Sequence, residues 1–319
     1  LKTTPAYDRL ASMGAVFGAA AGMEYPLWFA DTPGEMDQAS YRHTNAHPSV
    51  KREVELVRNG VGLMELATFA KYKVAGPGAE AWLDGLLANR IPKPGRMVLA
   101  PMLGAKGKLL GDFSVANFGD HYMIIGSGAA EKMHLRWFWK HLPSDGSVML
   151  EPLTEGLMGW HIAGPKAREV LSKIVAEDIS NDAMKFFSCA EMDVGLVPAR
   201  VCRVSFTGEL GFEIYVPAAY HLRLFTALME AGADLGIAPF GSRALNAMRL
   251  EKGFGSWARD YTTDYTPFEA GLDWAVAWNK GDFIGKEAAS ALKDKEPARK
   301  LTLLEIEAAD ADGTVNEPI

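Results

Sequence analysis

At 319 residues, with 48% hydrophobic and 23% charged residues and a net charge of −7, the chain reads as a folded protein of two domains or one large composite domain. The acidic balance argues against a nucleic-acid-binding surface as the main business. No apolar run approaches the roughly 20 residues of a bilayer span, and LKTTPAYDRL lacks the basic head and apolar core of a signal peptide.

Residues 1–48 are rich in loop formers and read as a lead-in wrapped on the main body. His43 and His47 stand four apart, a helical metal-ligand spacing, but RHTNAHP ends in Pro48, and a surface loop is the better reading. Residues 49–60 have helical periodicity through Val50, Val54 and Val57, with Gly60 as the stop. YKVAGPGAEAWLDGLL (72–87) and WHIAGPKAREVLSKIV (160–175) then share strand, Ala-Gly-Pro and amphipathic helix. Proline fits the first helical turn, where its missing N–H is not needed. Strands are expected over Lys73–Ala75 and His161–Ala163. The helices should bury Trp82, Leu83 and Leu86 in one copy, and Val170, Leu171 and Ile174 in the other. Each copy is followed by a strand and a second helix, 121–125 then 129–142 and 212–216 then 220–231. The pattern predicts a duplicated α+β unit of two sheets covered by helices.

Within the first copy, Gly111 reads as a glycine turn into a strand that Asp112 begins, with Phe113 and Val115 packed inward. An aspartate there is more often a turn residue than a functional one. In the second copy RVSFTGELGFEIYV (203–216) alternates: Phe212, Ile214 and Val216 point to one face, Glu213 and Tyr215 to a face left for chemistry. Glu213 is thereby a fixed carboxylate suited to a flat edge with two N–H donors, although by itself such a glutamate is more often a solvated strand residue. A helix follows over 239–253. In FGSWARDYTTDYTPFEAGLDWAVAW (254–278), Trp257, Tyr261 and Tyr265 either line a slot for a flat ring or pack a long loop; 279–290 is a loop entering a helix. Both ends look cut: the chain starts at Leu1, and LTLLEIEAADADG (301–313) reads as a strand and turn without its partner. There is no G-x-G-x-x-G after a strand, no Walker loop, no H-E-x-x-H and no G-x-S-x-G. Cys189 and Cys202 lack metal spacing and suggest a reducing compartment, with a disulfide between the two as the alternative.

RVSFTGELGFEIYVP, GSRALNAMRLEKG, DYTPFEAGLDWAV and DFIGKEA, in that order, resemble the folate-binding aminomethyltransferase family, the glycine-cleavage T-protein and its relatives. HPSVKREVELVRNGVGLMEL, FAKYKVAGPGAEAWLDGLLANR and APMLGAKGKLLGDFSV fall in register too, and the likeness is greatest to the C-terminal half of dimethylglycine and sarcosine dehydrogenases. The resemblance implies an α+β fold of duplicated sheet-and-helix units with the start of a C-terminal β-barrel. It implies a linker over 1–48 from an upstream domain, a folate-binding domain over 49–284 and a truncated barrel over 285–319. Residue by residue, Asp112 matches the acidic residue at the folate's reactive nitrogens, Glu213 the glutamate that grips the pteridine, and Arg243 an arginine of the folate site. Trp257 and Tyr261 fall in the segment bordering that site. Phe206 stands where many relatives have tyrosine in S-Y-T-G, and Glu65-Leu66-Ala67 where D-x-S is usual.

The function so implied is a tetrahydrofolate-dependent one-carbon transfer module of a demethylating amine dehydrogenase or oxidase. It would capture an N-methyl-derived carbon as 5,10-methylenetetrahydrofolate. FAD would come only from an upstream oxidoreductase domain, and no metal, nucleic acid or membrane partner is expected. The expected location is the cytoplasm, or the mitochondrial matrix in a eukaryote. One rival is a stand-alone folate-dependent methyltransferase or demethylase without flavin. The other is a non-enzymatic folate-binding factor of iron–sulfur assembly, whose K-G-C-Y-x-G-Q signature is absent: Lys252-Gly253 is followed by Phe254.

Overall fold

The computed structural model describes residues 1–32 and 34–311. The chain begins with helix α1 (Tyr7–Ser12) and a hairpin of β1 (Ala15–Ala20) and β2 (Met23–Phe29), so its first thirty residues are more ordered than their loop-rich composition suggested. Ala6, Leu10 and Phe29 lie inside a main-body core, which fixes this stretch by apolar burial. Helix α2 (His47–Asn59) follows. It starts at His47 with Pro48 in its first turn, so that proline opens the helix where the sequence reading had it closing a loop.

The first copy comprises β3 (Gly62–Glu65), β4 (Phe69–Ala75), α3 (Ala79–Leu86), β5 (Met97–Leu103), β6 (Leu109–Asn117), β7 (His121–Ser127) and α4 (Glu131–Lys140). The second comprises β8 (Met149–Pro152), β9 (Leu157–Ala163), α5 (Ala167–Ser172), β10 (Cys189–Val194), β11 (Val197–Cys202), β12 (Gly211–Pro217) and α6 (His221–Ala231). The short β13 (Ala238–Pro239), α7 (Ser242–Glu251) and α8 (Lys286–Ser290) complete the strands and α-helices among the described residues.

The duplication is explicit in the sheets. One runs β5-β6-β7-β4-β8 and the other β10-β11-β12-β9-β3-β13, so four consecutive strands recur in the same order. The leading strand of each copy is exchanged: β3 precedes β4 but pairs antiparallel with β9, while β8 precedes β9 but pairs antiparallel with β4. Each Gly-Pro joins a strand to a helix as expected. Gly76 and Gly164 take φ of +110° and +123°, and a Cβ would lie 2.4 Å from the Ser147 and Gly60 carbonyl oxygens respectively. Only glycine tolerates that conformation and that approach.

The outer face of each sheet is covered by its helices. Trp82, Leu83, Leu86 and Phe138 pack on Tyr72, Val74, Phe113 and Val115. Val170, Leu171, Leu224 and Leu228 pack on Trp160, Ile162, Phe212 and Ile214. A further layer joins the sheets: Met97, Ala116, Met123 and Ile125 of one meet Cys189, Cys202 and Tyr215 of the other. Cys189 and Cys202 stand opposite each other on β10 and β11 as free, buried thiols. The strand expected over 301–313 does not form in residues 301–311, the part that is described. Leu301 donates its N–H to the Glu269 carbonyl at 2.8 Å, and among the described residues no strand pairs with this segment. Among the described residues no helix is long and apolar enough to cross a membrane.

Candidate functional site

Glu213 and Tyr215 point to the inter-sheet face of β12, opposite Phe212, Ile214 and Val216. The alternation is as read, but this face is not open. Tyr215 is 1% exposed because the first sheet covers it, and only Glu213 remains half-buried. The Tyr215 hydroxyl donates to Glu213 Oε2 at 2.7 Å, which holds the carboxylate on the strand. Burial raises the Glu213 pKa to about 7, with the Tyr215 hydrogen bond and the Lys71 charge acting the other way. A group so poised titrates near neutral pH, as binding and catalytic carboxylates do.

Asp112 does not begin its strand. It is the fourth residue of β6, opposite Pro101, and the turn into that strand lies earlier, at Gly104–Gly107. Gly111 sits inside the strand because a Cβ there would meet Phe113 and the His134 ring at 2.7–2.9 Å. Phe113 and Val115 are fully buried on the helix side, as expected, and Asp112 takes the other face. Burial raises its pKa to about 6, with its own backbone N–H opposing. The Asp112 charge in turn helps burial raise Tyr261, to about 12, so the two side chains share one environment.

Tyr261 and Trp257 are 6% and 8% exposed and pack with Leu103, Leu109 and Phe283, so these rings form part of a loop core. The loop is clamped by Asp260, which accepts from Arg249 Nη1 at 2.5 Å and from the Ser256 N–H at 2.8 Å. Phe206 stacks on Phe254 with centroids 5.9 Å apart, and Gly208 beside it turns at φ +78°. Arg243, in the first turn of α7, is engaged in a two-pronged ion pair with Asp37, at 2.7 and 2.5 Å. Thus Asp112 is brought together with Tyr261, Glu213 with Tyr215 and Lys71, and Phe206 with Phe254, whereas Arg243 is held by the segment before α2. A cavity of about 270 Å³ lies behind β6 at Met102, His134 and Trp137, and one of about 240 Å³ beside Arg203, Ser205 and Glu209; neither is lined by Asp112 or Glu213.

Sequence reasoning passed over two polar features. Lys71 is fully buried between the sheets, where burial lowers its pKa and the charges of Glu131, Glu65 and Glu213 oppose that. Glu53 accepts the backbone N–H groups of Phe29 and Gly241 at 2.7 and 2.8 Å, tying β2 to the start of α7, and burial raises its pKa to about 7. Neither carried a signal: Lys71 alternates with Ala70 and Tyr72 as a solvent-facing lysine would, and Glu53 lies on a helix with charged neighbours.

The GCVT N-terminal domain matches residues 6–280 of this chain. Human mitochondrial dimethylglycine dehydrogenase is 38% identical over 98% of the chain, which spans 36% of that protein's length. An aminomethyltransferase of Geobacillus sp. (strain WCH70) is 31% identical over 96% of the chain and 79% of its own length. In structure, the glycine cleavage system aminomethyltransferase T from Bartonella henselae superposes with a TM-score of 0.80 over 94% of this chain and 77% of that one, at 24% identity, which establishes the shared fold. The chain belongs to the aminomethyltransferase family. It spans about a third of the length of the dimethylglycine dehydrogenases it matches.

Proposed function

We propose that the chain is a tetrahydrofolate-dependent one-carbon transfer module that captures an N-methyl-derived carbon as 5,10-methylenetetrahydrofolate. The observation that carries this reading is Glu213: a stiffly held, desolvated carboxylate with one oxygen fixed by Tyr215, on a chain of the aminomethyltransferase family. A pterin edge presents an amide N–H beside an amino group, and an ionised carboxylate accepts from both. Tetrahydrofolate supplies, when bound, the two nitrogens that carry the one-carbon unit. Asp112 is placed in the role of stabilising the positive charge that develops at the transferred carbon and of relaying the proton. With its pKa near 6 it is ionised at neutral pH, so transfer should rise as pH passes through that value. Trp257 and Tyr261 support Asp112 from behind, Phe206 borders the ring, and Arg243 is available to a folate carboxylate or carbonyl once Asp37 releases it.

In this reading 1–48 is a linker, 49–284 the folate-binding domain and 285–319 the entry to a barrel. An upstream flavin-dependent domain, in the cytoplasm or the mitochondrial matrix, would oxidise the methylated amine. A stand-alone transferase is the second reading, favoured by the Geobacillus aminomethyltransferase, of which the chain covers 79%. Flavin absorbance of the full-length protein separates the two.

Calorimetric titration with 5-formyltetrahydrofolate tests the site. One site per chain is expected, and Glu213→Gln should weaken it by about 1.5–3 kcal/mol, because an amide donor then faces a pterin donor. Parent-like binding by Glu213→Gln would remove the pteridine assignment.

A further inference from the structure

Cys189 is the first residue of β10, and Cys202, the last of β11, stands directly opposite it. The Cys189 N–H turns away from β11 to the Gly95 carbonyl at 3.0 Å. The ladder bond beside the pair runs from the Arg203 N–H to the Ser188 carbonyl at 2.8 Å. The two cysteines therefore occupy a non-hydrogen-bonded pair of the antiparallel ladder. In such a pair the Cα atoms stand about 4.5 Å apart and the side chains are at their closest. That spacing lies inside the range a disulfide spans, about 4.4–6.8 Å between Cα atoms.

Both are free thiols, 4% and 0% exposed. The Cys189 thiol donates to the Asn117 and Arg96 carbonyls at 3.3 and 3.5 Å, weak sulfur contacts that a bridge can replace. The next strand carries the proposed pteridine carboxylate. Cys202 is the cross-strand partner of Glu213 on β12, so Cys189, Cys202 and Glu213 form one row across three strands. That row lies on the face that meets the first sheet, where both cysteines pack with Tyr215, the residue that holds Glu213.

We propose that Cys189 and Cys202 form a reversible thiol–disulfide switch, which weakens folate binding when hydrogen peroxide closes it. The effect on binding rests on the folate reading above. A closed bridge holds the Cβ atoms about 3.8 Å apart, which draws the end of β11 towards β10 and moves the residue set beside Glu213. In the first step the Cys189 sulfur attacks a peroxide oxygen. The O–O bond breaks, one water leaves, and Cys189 carries a sulfenic acid. The Cys202 sulfur then attacks the Cys189 sulfur: the S–S bond forms, the S–O bond breaks, and the hydroxyl leaves with the Cys202 proton as a second water. Two thiols and one peroxide thus give one disulfide and two waters. A dithiol reopens the bridge and is itself oxidised. Burial pushes the Cys189 thiol up to about 11, so thiolate is scarce and the switch answers sustained exposure rather than a brief pulse.

The test exposes the full-length protein to hydrogen peroxide under native conditions, maps its peptides by mass spectrometry without reduction, and measures 5-formyltetrahydrofolate affinity by calorimetry. A peptide joining Cys189 to Cys202 should appear, and affinity should fall about three- to tenfold as the carboxylate is displaced. Dithiothreitol should remove the link and restore the affinity. It does not reverse methionine oxidation, and Cys189→Ser controls for that damage further: this variant should form no link and keep its affinity through the same treatment. A native protein that forms no link overturns the proposal, and so does a link that leaves affinity unchanged. An equal loss in Cys189→Ser also overturns it; if that variant does not fold, a loss in the parent that dithiothreitol fails to reverse does so. Absence of binding by the reduced protein would instead overturn the folate reading, and the linked peptide, read without ligand, would still decide the disulfide.

Discussion

Replacing Asp112 by asparagine should stabilise the fold at neutral pH. The carboxyl sits midway along β6, and burial raises its pKa from 3.8 to about 6. Between those values the folded chain keeps a proton that the unfolded chain has released, so stability falls as pH rises through the window. Two pH units correspond to about 3 kcal/mol, and a discount for the residue's partial exposure leaves about 2 kcal/mol. Asparagine has nearly the same shape and no charge, so it escapes this loss. Urea unfolding followed by tryptophan fluorescence, at a series of pH values, reads the difference between variant and parent. That difference should be near zero at about pH 4, open between about pH 4 and 6.5, and reach about 2 kcal/mol in favour of the variant at about pH 7.5. Glu53, Glu65 and Glu213 are raised in the same direction in both proteins and cancel. A difference that is flat with pH, or that favours the parent at neutral pH, would refute the placement of Asp112 in a desolvated site.

Two further outcomes follow from the geometry. Gly164→Ala, with its Cβ 2.4 Å from the Gly60 carbonyl oxygen, should lose about 3 kcal/mol or more in urea unfolding. Gly119→Ala, at φ +101° with open space around it, should lose only the backbone strain of about 1–2 kcal/mol, and equal losses would contradict the tight junction. Asp37→Asn frees the Arg243 guanidinium and should tighten 5-formyltetrahydrofolate binding about three- to tenfold by calorimetry; unchanged affinity would show that Arg243 does not reach the ligand.

The duplicated order was legible because Gly-Pro at 76–77 and 164–165 marks strand-to-helix joins by local sterics alone. Periodicity likewise placed Phe212, Ile214 and Val216 inside. It could not say what covered the other face, since alternation reads the same whether a strand meets water or another sheet, and Tyr215 proved buried. For the same reason Lys71 passed as a surface lysine. The exchange of β3 and β8 between sheets leaves no local trace, because it depends on pairings with β9 and β4. Asp112 lies three residues further into its strand than expected: Gly111 was read as turn chemistry, whereas its missing side chain makes room for Phe113 and His134. The Arg243–Asp37 pair joins residues far apart in sequence, and nothing near either one announces the other.

The central claim is that this chain passes a one-carbon unit to tetrahydrofolate through a site containing Asp112. The most direct measurement is the partition of carbon in the full-length protein turning over a methylated amine with tetrahydrofolate present. A formaldehyde trap is run beside an assay for 5,10-methylenetetrahydrofolate, for the parent and Asp112→Asn. The parent should deliver the carbon to folate. In Asp112→Asn amine oxidation should continue at the parent rate and folate affinity should stay within a few-fold. Transfer should slow by about ten- to several-hundred-fold, with free formaldehyde appearing in its place. The same division between the two products in parent and variant would contradict the account.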